Sequence, residues 1–139
     1  MQFEEGKTFD LGITSFSEQE IIDFARAFDP LDFHINREAA AKSPFKRIIA
    51  SGPHLFTFVH RNEWIPLFGK TVIAGLELNK WKFLKPLYPD QKIHSTVTIL
   101  SVKPNMEKHY TTIIWLYEFK DEKEELLQTA EMTVLHKIS

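Results

Sequence analysis

The chain of 139 residues contains no cysteine. Disulfides, thiolate nucleophiles and cysteine-based zinc sites are excluded together. The absence agrees with a reducing compartment without requiring one. No apolar run reaches the ~18 residues that a membrane-spanning helix needs. The N-terminal stretch MQFEEGKTFDLG is acidic and lacks a hydrophobic segment. No signal peptide is read there, and a cytoplasmic protein is expected. An excess of positive charge is missing too: 17 Lys and Arg stand against 19 Asp and Glu, a formal net charge of −2. With no basic stripe to follow a phosphate backbone, nucleic acid is not an expected partner. A membrane is not expected either.

What is present is the composition of an ordinary globular protein, 43% apolar and 26% charged. The length suits one domain, residues 1–139, with a single substantial core. Twelve Phe, three Tyr and three Trp predict that this core is rich in aromatic rings.

Phe9, Leu11 and Ile13 alternate with polar neighbours and predict a half-buried strand. Ser17 and Glu20 form an S-x-x-E capping box. Behind it, Ile21, Phe24, Ala25 and Phe28 fall on one helical face, and Pro30 stops that helix near Phe28. Asn36 caps a short helix over 37–42, which Ser43-Pro44 ends. Ser51-Gly52-Pro53 is a helix start, since proline is favoured in a first turn. Leu55, Phe56, Phe58, Val59, Trp64 and Ile65 then surround much of the next helix, the pattern of a buried one. Pro66 and Gly69 are expected to end it.

The second half reads as strands. The apolar parity over Val72–Leu78 inverts at Trp81 and Phe83, which predicts a bulge near Asn79. Residues 86–90 form a turn, 93–102 a long strand, and Pro104-Asn105 the turn after it. Thr111, Ile113, Trp115, Tyr117 and Phe119 share one face of a third strand. The charged run 121–125 is read as a solvated hairpin loop and 126–137 as the last strand. An α+β fold, a long antiparallel sheet wrapped around one buried helix, satisfies this order.

Two groups of residues offer chemistry. Asp29 and His34 are five apart, a spacing that would diverge on a helix. Pro30 forbids that helix and lets a loop bring both side chains together. A carboxylate beside an imidazole can take a proton from water and supply one to carbon. The plainer alternative is an aspartate capping a turn beside an ordinary loop histidine. Ser51 and Gly52 open the buried helix, whose first amides lack intrahelical acceptors and carry partial positive charge. The Gly52 amide could hold a carbonyl oxygen as it gains charge, although Pro53 supplies no N–H. Plain N-capping by Ser51 explains the same residues. The remaining histidines, His54, His60, His94, His109 and His136, form no metal-ligand set. His94, His109 and His136 are read as strand residues. Ser51 lacks the G-x-S-x-G setting of a serine hydrolase.

Phe28-Asp29-Pro30-Leu31-Asp32-Phe33-His34, then REAAAKSPF, then IIASGPH, resembles the G-D-x-N-P-[apolar]-H motif, small-residue helix and A-[HS]-G helix start of the MaoC-like dehydratases. Residues 81–90, WKFLKPLYPD, resemble that family's R-F-x-x-P-V-x-P-G-D turn. The group includes the (R)-specific enoyl-CoA hydratases and belongs to the hot-dog superfamily. The resemblance implies a hot-dog fold, dimers or heterodimers that pair sheets edge to edge, and a tunnel for an acyl chain. It implies reversible hydration of a 2-enoyl thioester of CoA or acyl carrier protein to a 3-hydroxyacyl thioester, a lyase reaction of fatty acid metabolism. The thioester is the substrate, and neither cofactor nor metal is implied. Asp29 and His34 would activate water, the Gly52 amide would hold the thioester oxygen, and Ser51 would lie close by. The chain departs from the motif at Phe28, Leu31 and Asp32, where the family has Gly, Asn and Pro. Leu31 and Asp32 motivate a second reading, a non-catalytic acyl-binding or structural subunit of a heteromeric hydratase. A third, a hot-dog thioesterase, would need an acid in the central helix, where Glu63 is the sole candidate.

Overall fold

A computed structural model describes residues 3–138. Strand β1 (Thr8–Thr14) leads to helix α1 (Glu18–Phe28), α2 (Asp32–Ile35) and α3 (Arg37–Ala41). A long helical segment follows: α4 (Gly52–Val59), a π-helical turn (His60–Trp64) and α5 (Ile65–Phe68). Four strands complete the chain, β2 (Val72–Phe83), β3 (Ile93–Asn105), β4 (Tyr110–Lys120) and β5 (Leu126–Lys137). They form one antiparallel sheet of five strands in the order β1-β3-β4-β5-β2. This is the expected hot-dog architecture.

The long helical segment lies in the curve of the sheet. Ile113, Trp115, Tyr117 and Phe119 of β4 are fully buried against it, as are Leu55, Val59 and Trp64 of the helix. Trp64 meets Trp115 edge-on at 5.3 Å between ring centroids, and Phe56 meets Tyr117 at 4.7 Å. Burial of such large rings is the main force holding helix to sheet. At α1, Ser17 Oγ accepts from Glu20 N–H while Glu20 Oε1 accepts from Ser17 N–H, completing the capping box.

Several expectations are corrected. Pro66 does not end the central helix, which continues to Phe68. In the π turn the Ile65 N–H bonds to His60 O, five residues back. The widened turn makes room for the proline ring that a regular helix would exclude. Pro104 lies within β3, paired with Thr111, and the turn comes at 106–109 with His109 at φ 58°. Pairing of β3 with β1 stops at Thr98, so this end of β3 is an edge, where a missing N–H is tolerated. A bulge between Asp10 and Ile13, with Gly12 at φ 84°, turns Ile13 outward to 69% exposure. Asp121 is not solvated: it is buried, and its carboxylate accepts the Lys123 and Glu125 N–H groups and a bond from Lys85 Nζ.

The bulge expected near Asn79 is present. The β2–β5 register shifts between Asn79 and Lys82, with Lys80 left-handed at φ 49°. Trp81 is thereby carried onto the core side, its ring 5.0 Å from Phe56. Otherwise β2 is exposed along nearly its whole length, including Ile73, Leu76 and Leu78.

Candidate active site

Asp29 caps α1, its N–H bonded to Ala25 O at 2.7 Å. Pro30 prevents another helical turn, and Leu31 N–H closes back on Asp29 O at 2.8 Å. His34 then comes from the single turn of α2 rather than from an open loop as the sequence predicted. Its ring is buried, and Nδ1 lies 2.6 Å from the Ile49 carbonyl oxygen. A carbonyl only accepts, so Nδ1 carries the proton and Nε2 is the free nitrogen of the neutral ring. Nε2 faces Asp29 Oδ2 at 3.4 Å.

Ser51 is 1% exposed, and its Oγ donates to that same Asp29 Oδ2 at 2.7 Å. It makes no side-chain capping bond to α4, so plain N-capping is not its role here. Nor does the Asp29 carboxylate cap a turn; it is held between Ser51 and His34. Gly52, the first residue of α4, presents an N–H with no intrahelical acceptor. Its Cα is overlaid by the Phe83 ring, which a Cβ at position 52 would meet at 2.6 Å. A larger residue at 52 would fit only if that ring moved away.

These four residues share one cavity of about 470 Å³. Asp29, His34, Ser51 and Gly52 form its polar end, and Phe83, Leu84, Leu87 and Leu127 supply much of its apolar wall. Lys85 at the rim has its charge engaged, with Nζ 2.8 Å from Glu125 Oε2 and 3.1 Å from Asp121 Oδ2. Those bonds, Glu125 first, hold its ammonium above the usual lysine range. Such a site can bind an apolar chain beside an acid, an imidazole and a helix N-terminus.

Two lining residues escaped the sequence reading. Phe83 stood in a quoted motif without a role. Gln128 carried no signal: it is buried beside buried Leu127, against the alternation of its strand. Its Oε1 accepts from Trp81 Nε1 at 2.9 Å, and its Nε2 donates to Gly52 O at 3.1 Å.

The other histidines lie elsewhere. His54 is sandwiched between Phe16 and Phe24, with centroids at 4.0 and 4.2 Å, and burial lowers its pKa to about 4. His60 Nδ1 pairs with the Tyr117 hydroxyl at 2.9 Å, and burial lowers its pKa. Among the described residues, no three His, Asp or Glu gather as a metal would require, and no helix is long and apolar enough to cross a membrane.

Residues 2–114 match the family model described as the MaoC like domain. The chain belongs to that family. This MaoC-like chain is 32% identical over 138 residues to YdeM of Bacillus subtilis, itself uncharacterized, with 98% of this chain and 96% of YdeM aligned. The crystal structure of a MaoC-like dehydratase from Rhodospirillum rubrum superposes with a TM-score of 0.87, at 22% identity, over 99% of this chain and 94% of that one. An (R)-hydratase from A. caviae involved in PHA biosynthesis superposes at 0.72, with 20% identity, over 99% and 98% of the two chains. Both superpositions show the shared hot-dog fold.

Proposed function

We propose that this MaoC-like chain is an enoyl-thioester hydratase acting reversibly on 2-enoyl and 3-hydroxyacyl thioesters. The observation that carries this is the Asp29 carboxylate, fixed by Ser51 Oγ at 2.7 Å and facing His34 Nε2 at 3.4 Å, at the polar end of an apolar cavity. In this reading the thioester oxygen lies at the Gly52 N–H and the β-carbon faces the Asp29–His34 pair. Water oxygen bonds to the β-carbon as the pair takes up its proton. The π electrons move onto the thioester oxygen, where the Gly52 amide and the helix N-terminus stabilise the enolate. A proton from the pair then joins the α-carbon. One water is added and nothing else is consumed.

The exposed apolar edge of β2 supports a partner strand at that edge, a homodimer or a heterodimer. A second reading, a non-catalytic subunit beside a complete-motif partner, rests on exposed Leu31 and Asp32 at the start of α2, between the two proposed catalytic residues. The thioesterase reading has less support, since Glu63 is exposed and does not line the cavity.

The test is loss of enoyl absorbance from crotonyl-CoA, with Asp29→Asn and His34→Ala beside the wild type. Hydration that both changes abolish supports the assignment. A wild type inert across chain lengths would favour the subunit reading instead.

A further inference from the structure

We infer that Gln128 supplies a second hydrogen bond to the thioester oxygen, a donor that Pro53 cannot give. The inference rests on the hydratase reading and deepens it. A developing enolate oxygen is best held by two preorganised donors, and a helix start ordinarily offers successive amides. Here Gly52 contributes one N–H, and Pro53, next in line, has none.

Gln128 is bonded to Gly52 itself and can supply the replacement. It lines the cavity that holds Asp29, His34, Ser51 and Gly52. An amide's two ends are told apart by their partners, and here the partner decides. The Trp81 indole N–H can only donate, so the end facing it at 2.9 Å is the Gln128 oxygen. The nitrogen therefore faces Gly52, one N–H bonding to Gly52 O at 3.1 Å. Its second N–H has no partner among the described residues. A buried amide hydrogen without a partner costs free energy unless a ligand accepts it. Nothing else in the mechanism uses this group.

The clamp on the amide comes from the β2 bulge. Lys80 lies in that bulge at φ 49°, and Trp81 follows it on the core side, within reach of Gln128. Packing against Phe56 at 5.0 Å and Phe83 at 5.5 Å then holds the indole in place. Trp81 is a positioning residue and Gln128 the donor.

The test is infrared difference spectroscopy of butyryl-CoA labelled with ¹³C at the thioester carbonyl, with crotonyl-CoA hydration measured in parallel. In wild type the bound carbonyl band should move to lower frequency than in solution. In Gln128→Leu that displacement should shrink, and kcat should fall about 100-fold while KM changes less than about threefold. Trp81→Phe keeps an aromatic ring but frees the amide, and should give an intermediate band and an intermediate kcat. If Gln128→Leu does not fold, Trp81→Phe decides the matter alone. A wild-type band position and kcat in the folded variants would overturn the donor role and leave the hydratase standing. A wild type that neither binds butyryl-CoA nor hydrates crotonyl-CoA would overturn both.

Discussion

The Trp115 indole N–H donates to His136 Nε2 at 3.1 Å, at the centre of the core. Because indole can only donate, Nε2 is unprotonated and the ring proton sits on Nδ1, which donates to Thr71 Oγ1 at 2.9 Å. The fully buried ring is held neutral, and burial lowers its pKa to about 4. His54 is lowered to about 4 by the same cause. The unfolded chain takes up these protons near pH 6.5, whereas the folded chain refuses them until about pH 4. Stability from this source is unaffected above pH 6.5 and falls as pH drops from there towards 4. Each ring costs up to about 3 kcal/mol by the lower limit. Urea midpoints between pH 7 and 4 should fall steeply in wild type and less steeply in His54→Phe. Equal slopes would show that His54 does not titrate in this way.

Asp29→Asn and His34→Ala should each lower crotonyl-CoA hydration by about 10²- to 10⁴-fold, as removal of an acid or base group does. Ser51→Ala keeps both groups but frees the carboxylate, and should cost about tenfold in kcat, the effect of losing one orienting bond. Steady-state kinetics with circular dichroism as the fold control would check the order. A larger loss in Ser51→Ala than in His34→Ala would reverse the assigned roles.

Gly52→Ala places a methyl 2.6 Å from the Phe83 ring. Phe83 is 54% exposed, so its ring can swing away. The expected loss of stability is modest, about 1 kcal/mol, the low end for overpacking. Adding Phe83→Ala should restore the thermal midpoint. If the Gly52 N–H holds the thioester oxygen as proposed, it should not restore hydration, since the methyl remains beside that N–H. Recovery of activity in the double variant would mean that Phe83, and not the site, had been disturbed.

Leu76 and Leu78 are 55% and 48% exposed on β2, with a free strand edge beside them. Light scattering after size exclusion should give twice the chain mass for wild type. In Leu76→Lys or Leu78→Lys a charge on this edge should shift the protein towards the single-chain mass. A wild type of single-chain mass at high concentration would point to a different partner chain at this edge.

Most of the architecture was legible because it rests on local chemistry. The Ser17 capping box, the Pro30 stop and the alternation from Thr111 to Phe119 each name their structure directly. The parity change between Leu78 and Trp81 was enough to locate a bulge. Some errors were local, at the π turn before Pro66 and the Gly12 bulge, and others came where partners distant in sequence decide. Whether β2 is central or at an edge is invisible in its own residues, and so is the fate of Asp121, which Lys85 reaches across 36 residues. That Asp29, His34, Ser51 and Gly52 come together was foreseeable because a helix end, the proline turn after it and a second helix start carry them. Gln128 was not, because it enters the cavity from a strand 76 residues away from the glycine it touches.

Leu55 and Val59 are four residues apart, Val59 and Trp64 five, and Trp64 and Phe68 four, yet all four are buried against the sheet. The widened turn absorbs the odd step and keeps the face in phase. An ordinary α-helix one residue shorter between Val59 and Trp64 would carry the same face, but it would have no room for the Pro66 ring. In the innermost element of the molecule one extra residue is thus taken up without altering which side chains are packed, and the same residue seats the proline. A strand, whose side chains switch faces at every step, takes up an odd residue only through a bulge, as β2 does between Asn79 and Lys82.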